Sequence, residues 1–350
     1  TLKKVPYRVS PTIDSFLRLI YVYLAIITFF LSTSYFSKKT DLFKYWVIGA
    51  VISASYSWYI FISSGLDIPY IKLFGMDENP QSIAGFVRCG TFKEGNFLGL
   101  YLLLSSIIAF YFKRTKTGIF LMMSIITTVS TVSIISAVIF VLYLTRKAFL
   151  SKKVLLYVIL SIPLIIIFSI FFVKTPFYKE YVYSKISEPS NVLSIRNISK
   201  VDRTLTARIA YKEGVNNPVL GVGPYNYGLH YDRYNDFKSY IINNNDWSLQ
   251  FFERKNKRAI ANNVYLEVWA EYGIGGFFIF VLFLLNTLII AVRNKNDIIT
   301  GGIIAMFVSF NAFPSFIMLF LWAFLGIPYA VNYQNRLINN NISDTQHIKK

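Results

Sequence analysis

The sequence predicts an all-α integral membrane protein, a helical bundle of about nine or more transmembrane helices with a large, partly helical extracytoplasmic loop. Composition is the first observation behind this prediction. The 350 residues are 54% hydrophobic, have a mean hydropathy of +0.46, and are only 15% charged. A soluble domain carries about 25% charged residues to cover its surface, so this chain has lipid as a second solvent. Soluble enzymes, disordered regulators and nucleic-acid-binding domains are thereby excluded.

Apolar runs are the second observation. A crossing takes roughly 20 mainly apolar residues to span about 30 Å of hydrocarbon. In chain order, the runs that meet or approach this test cover about 16–36, 43–64, 96–112, 154–173, 264–292, 298–312 and 314–333. The stretch 118–144 has basic clusters on both sides, which places both of its ends in the cytoplasm. A hairpin that turns near Ser130–Ser133 is therefore favoured over one long helix.

Basic clusters at the ends of these runs are the third observation, and they set the topology. Short cytoplasmic loops collect Lys and Arg, which places Lys38, Lys44 and Arg293 in the cytoplasm. The segments 65–95 and 174–262 then lie outside. The predicted organisation is an N-terminal bundle over 1–173 that includes the outer loop 65–95, a large extracytoplasmic loop domain over 174–262, C-terminal transmembrane helices over 263–335, and a cytoplasmic tail over 336–350.

The surplus positive charge has two sources. The net charge is +18, and much of it anchors the cytoplasmic face to anionic headgroups. The outer segment 174–262 contributes the rest, with 14 Lys/Arg against 8 Asp/Glu. Basic residues at the outer mouth of a bundle indicate an anionic partner such as a lipid phosphate or pyrophosphate. The chain has one cysteine and two histidines and no phosphate-binding loop or zinc signature, so we predict no metal and no cofactor.

The first of three polar clusters runs from Arg88 to Asn96 and leads into an apolar helix. Its glycines allow a tight backbone approach, and Asn96 is predicted to cap the helix that follows. An Arg beside a helix N-terminus forms a compact anion site, because the guanidinium and the backbone N–H groups point at one ligand. An ordinary loop with an interfacial Arg is the alternative.

The second cluster begins at Arg208, which is predicted to start a short amphipathic helix. Asn217 and Pro218 end that helix, and Gly221 and Gly223 shape a turn whose amides are exposed. The alternative is an ordinary helix-turn unit that packs on the bundle.

The third cluster opens the helix that returns to the membrane. At helical spacing Asn262, Tyr265 and Trp269 lie near one face, whereas Glu267 and Glu271 share another. Ionisable groups near membrane depth are costly and often functional, so the two carboxylates are candidate site residues. Capping combined with an interfacial aromatic belt is the alternative.

Three other residues are predicted to be structural. Arg18, near the start of a helix, is expected to snorkel to the membrane surface. Cys89 is expected to pack as a small core residue rather than to act as a nucleophile. His230 is expected to be a solvated loop histidine rather than a base.

Taken in order, the three clusters resemble the O-antigen ligase/polymerase superfamily of bacterial envelope glycan enzymes. The resemblance covers roughly residues 85–335. The first pattern is matched by Arg88, Gly90, Thr91, Phe92 and Asn96. The second is matched by Arg208, Pro218, Gly221 and Gly223. The third is matched by Asn263, Tyr265, Leu266, Glu271, Gly273 and Gly276.

The sequence departs from the family pattern at three places. Gly95 stands where the family has a proline, and Asn262 stands where it has a histidine that serves the acceptor hydroxyl as a base or assists one. The Ser-Arg pair usual in the family's hairpin is also absent, although Ser133 and Ser136 lie in that area. The missing histidine argues against a ligase and favours the more variable polymerases.

The resemblance implies polymerisation of undecaprenyl-pyrophosphate-linked oligosaccharide repeat units at the outer leaflet of the bacterial inner membrane. It implies membrane lipids and polysaccharide-assembly proteins, such as a chain-length regulator, as partners and no nucleic acid. One alternative is a ligase that transfers the glycan to lipid A-core or another acceptor. A lipid-glycan flippase is disfavoured, because transporters place ionisable groups near the bilayer midplane and these apolar runs are nearly free of charge.

The chemistry of the transfer suggests roles for the matched residues. The leaving group is a lipid pyrophosphate, whose developing charge arginines stabilise best where water is scarce. The acceptor hydroxyl requires a base. The predicted catalytic residues are Arg88, Arg208, Glu267 and Glu271, with Glu94 and His230 as further candidate bases. The predicted substrate-binding residues are Lys93, Asn96, Arg203, Gly221, Gly223, Asn262, Asn263 and Tyr265.

Overall fold

The computed structural model describes residues 10–38, 42–73, 80–83, 85–147, 187–194, 197–243, 245–253 and 259–347, with isolated positions from 170 to 183. These ranges are mainly helical. The helices are α1 Pro11–Lys38, α2 Phe43–Gly65, α3 Gly95–Tyr111, α4 Thr115–Ser124, α5 Thr131–Thr145, α6 Ile198–Asn216, α7 Tyr227–Tyr234, α8 Phe237–Tyr240, α9 Asp246–Glu253, α10 Val264–Arg293, α11 Asp297–Ser309 and α12 Leu319–His347. Strands β1 Ser82–Ile83 and β2 Phe86–Val87 pair antiparallel, with Ser82 opposite Val87.

Three described helices are long and apolar enough to cross a membrane, namely α1, α2 and α10. Shorter apolar helices are α3, α5, and α11 with its 3₁₀ extension to Ala312. These elements confirm the helical membrane class and fall on the apolar runs of the sequence. The run at 154–173 lies outside the described residues, and the number of crossings stays a prediction.

Local signals in the sequence explain where several helices begin. Pro11 occupies the first turn of α1, where its missing N–H costs nothing, and the Ser10 hydroxyl accepts a bond from the Ile13 N–H. Asn296 caps α11, because its side chain accepts from the Ile299 N–H at 3.1 Å. The run predicted to begin at 314 becomes helical only at Leu319, since residues 313–318 are irregular around Pro314.

The stretch 118–144 is broken, as the sequence predicts. Helix α4 gives way to a 3₁₀ turn at Ile125–Thr128, Val129 takes a left-handed conformation with φ of 45°, and α5 begins at Thr131. The hydroxyls of Thr127 and Thr128 donate to carbonyls three residues earlier, a competition with the helix that favours such breaks. That each helix crosses the membrane stays a prediction.

The chain forms two compact units. The first comprises Thr1–Ile20 and Thr145–Val281, and the second comprises Tyr21–Leu144 and Leu282–Lys350. The boundaries predicted at 173 and 262 follow topology rather than packing, and they stay predictions.

Hydrogen bonds join the helices of the second unit. The Trp46 indole donates to the Ser105 hydroxyl at 2.7 Å, and the Trp58 indole donates to the Ser124 hydroxyl at 2.9 Å. The hydroxyls of Ser136 and Ser309 lie 2.7 Å apart and tie α5 to α11. Such polar contacts and small residues commonly hold helices together in lipid, because the hydrophobic effect does not drive helix association there.

The first unit contains a conventional hydrophobic core. Buried side chains of α6, α7, α8 and α9 form it, among them Leu205, Tyr227, Tyr231, Phe237 and Phe252. The Tyr227 hydroxyl donates to the Thr206 carbonyl at 3.0 Å, which ties α7 to α6. This packing confirms that the described part of the large loop folds and is partly helical.

Candidate active site

The helix that carries the third polar cluster is broken after its first turns. Gly273 lies inside α10 with φ of 66° and ψ of −169°, a conformation that only glycine adopts readily. The break leaves the carbonyls of Ala270 and Glu271 and the N–H of Ile274 without helical partners. These groups need other hydrogen bonds, because unpaired buried backbone groups are costly.

The glycine turn of the second cluster supplies those hydrogen bonds. The Val222 N–H donates to the Ala270 carbonyl at 2.8 Å, and the Gly223 N–H donates to the Glu271 carbonyl at 3.0 Å. In return the Ile274 N–H donates to the Pro218 carbonyl at 2.7 Å. The second and third clusters are therefore one structural unit.

Two glycines make this close approach possible. A Cβ on Gly221 would lie 2.5 Å from the backbone of Glu271, and a Cβ on Gly273 would overlap the Val219 carbonyl. Gly221 and Gly223 have φ of 67° and 93°, so the predicted turn is confirmed. The turn amides of Val222 and Gly223 are bonded to α10, however, rather than exposed as the sequence predicted.

Three carboxyl groups lie in the interior beside this turn. Glu267 and Glu271 of α10 are both buried, which confirms that they share an inward face. Glu213, in the last turn of α6, is fully buried and carried no predicted role. A signal was available in the sequence, because Glu213 continues the apolar stripe of Leu205 and Ile209 at intervals of four residues.

Arg18 pairs with this carboxyl cluster. Its guanidinium donates to the Glu267 carboxylate and lies 5.4 Å from the centre of the Tyr225 ring. With 4% of its surface exposed, Arg18 does not snorkel, so that prediction is wrong. Snorkelling is unnecessary because a buried guanidinium is stabilised by a carboxylate partner. The Ser15 hydroxyl also donates to the Asn226 side chain at 3.1 Å, next to the glycine turn.

A second polar group lies on the exposed face of α6. Arg208 and Lys212 both bind Oδ2 of Asp236, at 2.7 Å and 2.6 Å, and the Arg208 guanidinium lies 4.9 Å from the centre of the Tyr240 ring. Partial burial would raise the pKa of Asp236, but the hydrogen bond and charge of Lys212, together with Arg208, hold it below its ordinary value. Two cations on one carboxylate leave this group with a net positive charge.

The position of Arg208 within α6 corrects one prediction. The helix begins at Ile198, so Arg208 lies in its middle rather than at its start. The sequence of 198–207 is polar and only weakly amphipathic on its own, and the helix depends on packing against the core. The predicted helix end is confirmed, because α6 ends at Asn216 and Asn217 is its C-cap.

Arg88 belongs to the second unit and is buried there. Its guanidinium donates to the Gln81 side chain at 3.0 Å, the Asn96 side chain at 3.2 Å and the Val129 carbonyl at 3.4 Å. A Cβ on Gly95 would lie 2.9 Å from Nε of Arg88, so the family's proline cannot be accommodated here without a shift. The Arg88 guanidinium is therefore fixed in position by hydrogen bonds, with residues of the first cluster packed against it.

Asn96 is not the cap of α3, contrary to prediction. The helix begins at Gly95 with Glu94 in the capping position, so Asn96 lies inside the first turn and is free to bind Arg88. Lys93 is exposed beside it. Cys89 is buried among apolar side chains, as predicted for a packing role.

The remaining predicted binding residues lie near the start of α10. Asn262 has φ of 52° and its amide reaches Asp202 of α6 at 3.3 Å. Asn263 caps α10 by accepting from the Leu266 N–H at 3.0 Å. Tyr265 is half-buried, as is Arg203 of α6. Their roles in binding stay predictions.

His230 of α7 is half-buried rather than solvated. Burial lowers its pKa, and the nearby Arg233 acts in the same direction. Within the described ranges, no three His, Cys, Asp or Glu side chains are placed to hold a metal ion.

Comparison with known protein families gives a match. Residues 117–281 match the family described as O-antigen ligase. This range includes the broken hairpin, the glycine turn and the kink of α10. No curated protein matches the chain.

The match confirms the resemblance to the O-antigen ligase/polymerase superfamily. It supports a membrane enzyme of the glycosyltransferase type, since the family covers ligases and related polymerases. Arg208, Glu213, Glu267 and Glu271 lie inside the O-antigen ligase segment, whereas Arg88 and Arg18 lie outside it. The match therefore does not extend to the first cluster, and the catalytic role of Arg88 stays a prediction.

Proposed function

We propose that the protein is a membrane glycosyltransferase that polymerises undecaprenyl-pyrophosphate-linked oligosaccharide repeat units at the outer leaflet of the bacterial inner membrane. One observation carries the proposal. Within the O-antigen ligase segment, the glycine turn and the α10 kink join into one site with buried carboxyls beside it. Asn262 in place of the family's histidine favours a polymerase over a ligase.

The transfer breaks the bond between an anomeric carbon and a phosphate oxygen. Negative charge then grows on the departing pyrophosphate, and preorganised cations stabilise it. Arg208 and Lys212 are suited to this task because they lie one helical turn apart and bind the same anion, at present Asp236. Arg208 uses one guanidinium nitrogen for Asp236, and its planar fork can hold two phosphate oxygens.

A base must receive the proton of the acceptor sugar hydroxyl. Glu267 and Glu271 are the two predicted bases, and they differ in their surroundings. Glu267 holds the Arg18 guanidinium, whereas the backbone carbonyl of Glu271 accepts a hydrogen bond from the Gly223 N–H of the glycine turn. We therefore assign the base to Glu271 and a supporting ion pair to Glu267. Asn262, a neutral amide, orients the acceptor.

Loss of either predicted catalytic arginine, Arg88 or Arg208, should strongly reduce polymerisation. We expect Arg88→Ala and Arg208→Ala each to reduce long chains by more than tenfold, because one charged contact to a transition state is worth about 2–4 kcal/mol. The measurement is the chain-length ladder of surface polysaccharide in cells that carry each variant, with membrane insertion checked by immunoblot.

Arg233→Ala is the matched control, since Arg233 is an exposed arginine of the same unit that rests on Tyr234. It should leave the ladder unchanged. Normal ladders in both Arg88→Ala and Arg208→Ala would defeat the proposal.

A ligase is the second candidate, because the matching family is described as O-antigen ligase. The two activities leave different products when the protein is removed. A deletion strain that accumulates single repeat units indicates a polymerase. Accumulation of finished polymer on the lipid carrier indicates a ligase instead.

A further inference from the structure

Gln81, one residue before β1, is a polar residue with no role in the transfer proposed above. Its side-chain oxygen accepts two hydrogen bonds, from Nε of Arg88 and from the Gly95 N–H, each at 3.0 Å. Its backbone carbonyl accepts a third, from the Arg88 N–H, also at 3.0 Å. Gln81 therefore holds Arg88 through both its main chain and its side chain.

The Arg88 guanidinium is held by three separate parts of the second unit. Gln81 holds Nε, the Asn96 side chain in the first turn of α3 accepts from Nη2 at 3.2 Å, and the Val129 carbonyl of the hairpin break accepts from Nη1 at 3.4 Å. A guanidinium has five N–H donors in one rigid plane, so acceptors on different nitrogens fix its rotation as well as its position. Of these three acceptors, Gln81 binds the nitrogen that joins the guanidinium to its side-chain stem. It therefore restricts how the plane turns about that stem.

The same Gln81 oxygen caps helix α3. The first N–H groups of a helix have no acceptor within it, and Glu94 in the capping position of α3 makes no side-chain cap bond. Gln81 supplies an acceptor from outside the helix. A Cβ on Gly95 would lie 2.9 Å from Nε of Arg88, so the first turn of α3 packs directly against the guanidinium. One oxygen atom thus ties Arg88 to the start of α3.

The charge of this acceptor matters as much as its position. A carboxylate at position 81 would accept the same two bonds, form an ion pair with the guanidinium and suit the positive end of the α3 dipole. It would also compete with any phosphate ligand for the guanidinium. The amide oxygen of Gln81 accepts both bonds and brings no charge. A neutral acceptor is therefore suited to an arginine that has to bind an anion.

We propose that Gln81 is a positioning residue for Arg88: its neutral side-chain oxygen holds Nε and fixes the orientation of the guanidinium without adding a countercharge. This inference rests on the proposed function, in which Arg88 stabilises the departing pyrophosphate. Gln81 acts through Arg88 and contacts neither the glycan nor the pyrophosphate. Donors that are oriented before the reaction need no rearrangement as charge develops, and this accounts for their effect on rate.

Two substitutions at position 81 separate this role from a structural one. Gln81→Leu removes the acceptor, whereas Gln81→Glu keeps it and adds a negative charge. The assay uses purified protein in liposomes and lipid-linked repeat units extracted from a deletion strain. We expect Gln81→Leu to lower kcat about tenfold, because a misdirected donor stabilises the transition state poorly. We expect Gln81→Glu to lower kcat/KM at least about fivefold, although its melting temperature should equal or exceed that of the wild type.

The combination expected of Gln81→Glu decides between the two roles. A capping role alone predicts that a variant of wild-type stability also has wild-type activity. Gln81→Glu with the wild-type kcat/KM, or Gln81→Leu with more than about half of the wild-type kcat, would therefore overturn the proposal. Gln250→Leu and Gln250→Glu are the matched controls, since Gln250 is an exposed glutamine of α9 just as Gln81 is exposed before β1. Both controls should behave as the wild type.

A double substitution tests whether Gln81 acts through Arg88. Arg88→Lys keeps a positive charge but has no Nε–H for Gln81 to hold. In that background Gln81→Leu should lower kcat by less than about twofold, since the effects of residues that act as one unit are not additive. An equal loss in both backgrounds would overturn the proposal.

Exchange of the Arg88 Nε–H with water, followed by NMR, tests the contact without reference to activity. This signal, identified by its absence from Arg88→Lys, should exchange slowly in the wild type and in Gln81→Glu and faster in Gln81→Leu. Equal exchange in the wild type and Gln81→Leu would overturn the proposal. If exchange differs as expected but Arg88→Ala transfers glycan normally, the role proposed for Arg88 has failed and its contact with Gln81 stands.

Discussion

Asp236 binds Arg208 and Lys212 of α6 through a single oxygen atom. Exposed ion pairs of this kind are weak, about 0.2–1 kcal/mol each, because water screens them. A carboxylate carries one negative charge, whereas a pyrophosphate carries more charge and more acceptor oxygens. The carboxylate is therefore a counterion that a phosphate ligand can displace, and the strength of ligand binding depends on the cost of displacing it.

Asp236→Asn should strengthen binding of inorganic pyrophosphate by about three- to fivefold at pH 7, since the competing charge is gone and an exposed pair is worth up to about 1 kcal/mol. Isothermal titration of the purified protein would measure the change. Asp232→Asn, which removes the same charge from an exposed position of α7, should have a smaller effect.

The pH dependence of the gain in pyrophosphate binding by Asp236→Asn follows from the lowered pKa of Asp236. A carboxyl group whose pKa is lowered by its partners keeps its ion pairs at every pH above the ordinary carboxyl pKa. It loses them only as the pH falls through the lowered pKa. The advantage of the Asn variant should therefore persist at pH 5 and shrink only in stronger acid. Equal binding by both proteins at pH 7 would contradict the counterion role.

At the scale of elements, the kink of α10 and the glycine turn depend on each other. The kink frees two carbonyls and one N–H, and the turn binds all three. Neither element would be stable alone in this form, because each leaves backbone groups that the other satisfies. The two motifs are thus coupled physically as well as by their order in the sequence.

Gly273→Ala should disrupt this junction. The backbone conformation at position 273, with φ of 66° and ψ of −169°, costs an alanine about 1–3 kcal/mol, and its Cβ would also overlap the Val219 carbonyl. We expect a loss of at least about 2 kcal/mol in stability and faster proteolysis of the 217–223 turn. Thermal unfolding in detergent and limited proteolysis would measure both.

Gly275→Ala is the matched control two residues away. A Cβ there meets nothing within 4 Å, and alanine is favoured over glycine in a helix by about 0.5–1 kcal/mol. It should leave stability unchanged or slightly raised. A Gly273→Ala protein as stable as Gly275→Ala would show that the kink is not required.

At the scale of the whole molecule, the distribution of Lys and Arg predicts which segments face the cytoplasm. Helices α1, α2 and α10 are long enough to span a membrane, which agrees with that topology. Their length and composition do not indicate which end of each helix faces the cytoplasm. The single cysteine, Cys89, is buried, so the protein can be converted to a cysteine-free background with one change.

Labelling with a membrane-impermeant maleimide would test the predicted topology. In a Cys89→Ser background, Lys238→Cys should react in intact spheroplasts, because residues 174–262 are predicted to lie outside. Lys116→Cys, which is exposed at the start of α4, should react only after the membrane is opened. The reverse pattern would mean that the large loop is cytoplasmic and would rule out transfer at the outer leaflet.

The elements that could be predicted from sequence are those determined by short-range chemistry. Apolar runs locate α1, α2, α3, α10 and α11, because lipid requires long apolar helices whatever surrounds them. The break between α4 and α5 and the turn at Gly221 and Gly223 follow from local preferences of Ser, Thr and Gly. The same holds for the end of α6 at Asn217.

Burial of polar side chains, in contrast, was decided by the tertiary structure. Arg18 and Glu267 are 249 residues apart, and neither sequence neighbourhood indicates that they pair. Asn96 became a partner of Arg88 rather than a helix cap because the helix begins at Gly95, with Glu94 in the capping position. Glu213 is fully buried where the last turn of α6 packs against Trp269 of α10. Dielectric surroundings depend on every neighbour in space, so the chemistry of a buried group cannot be read from its own segment.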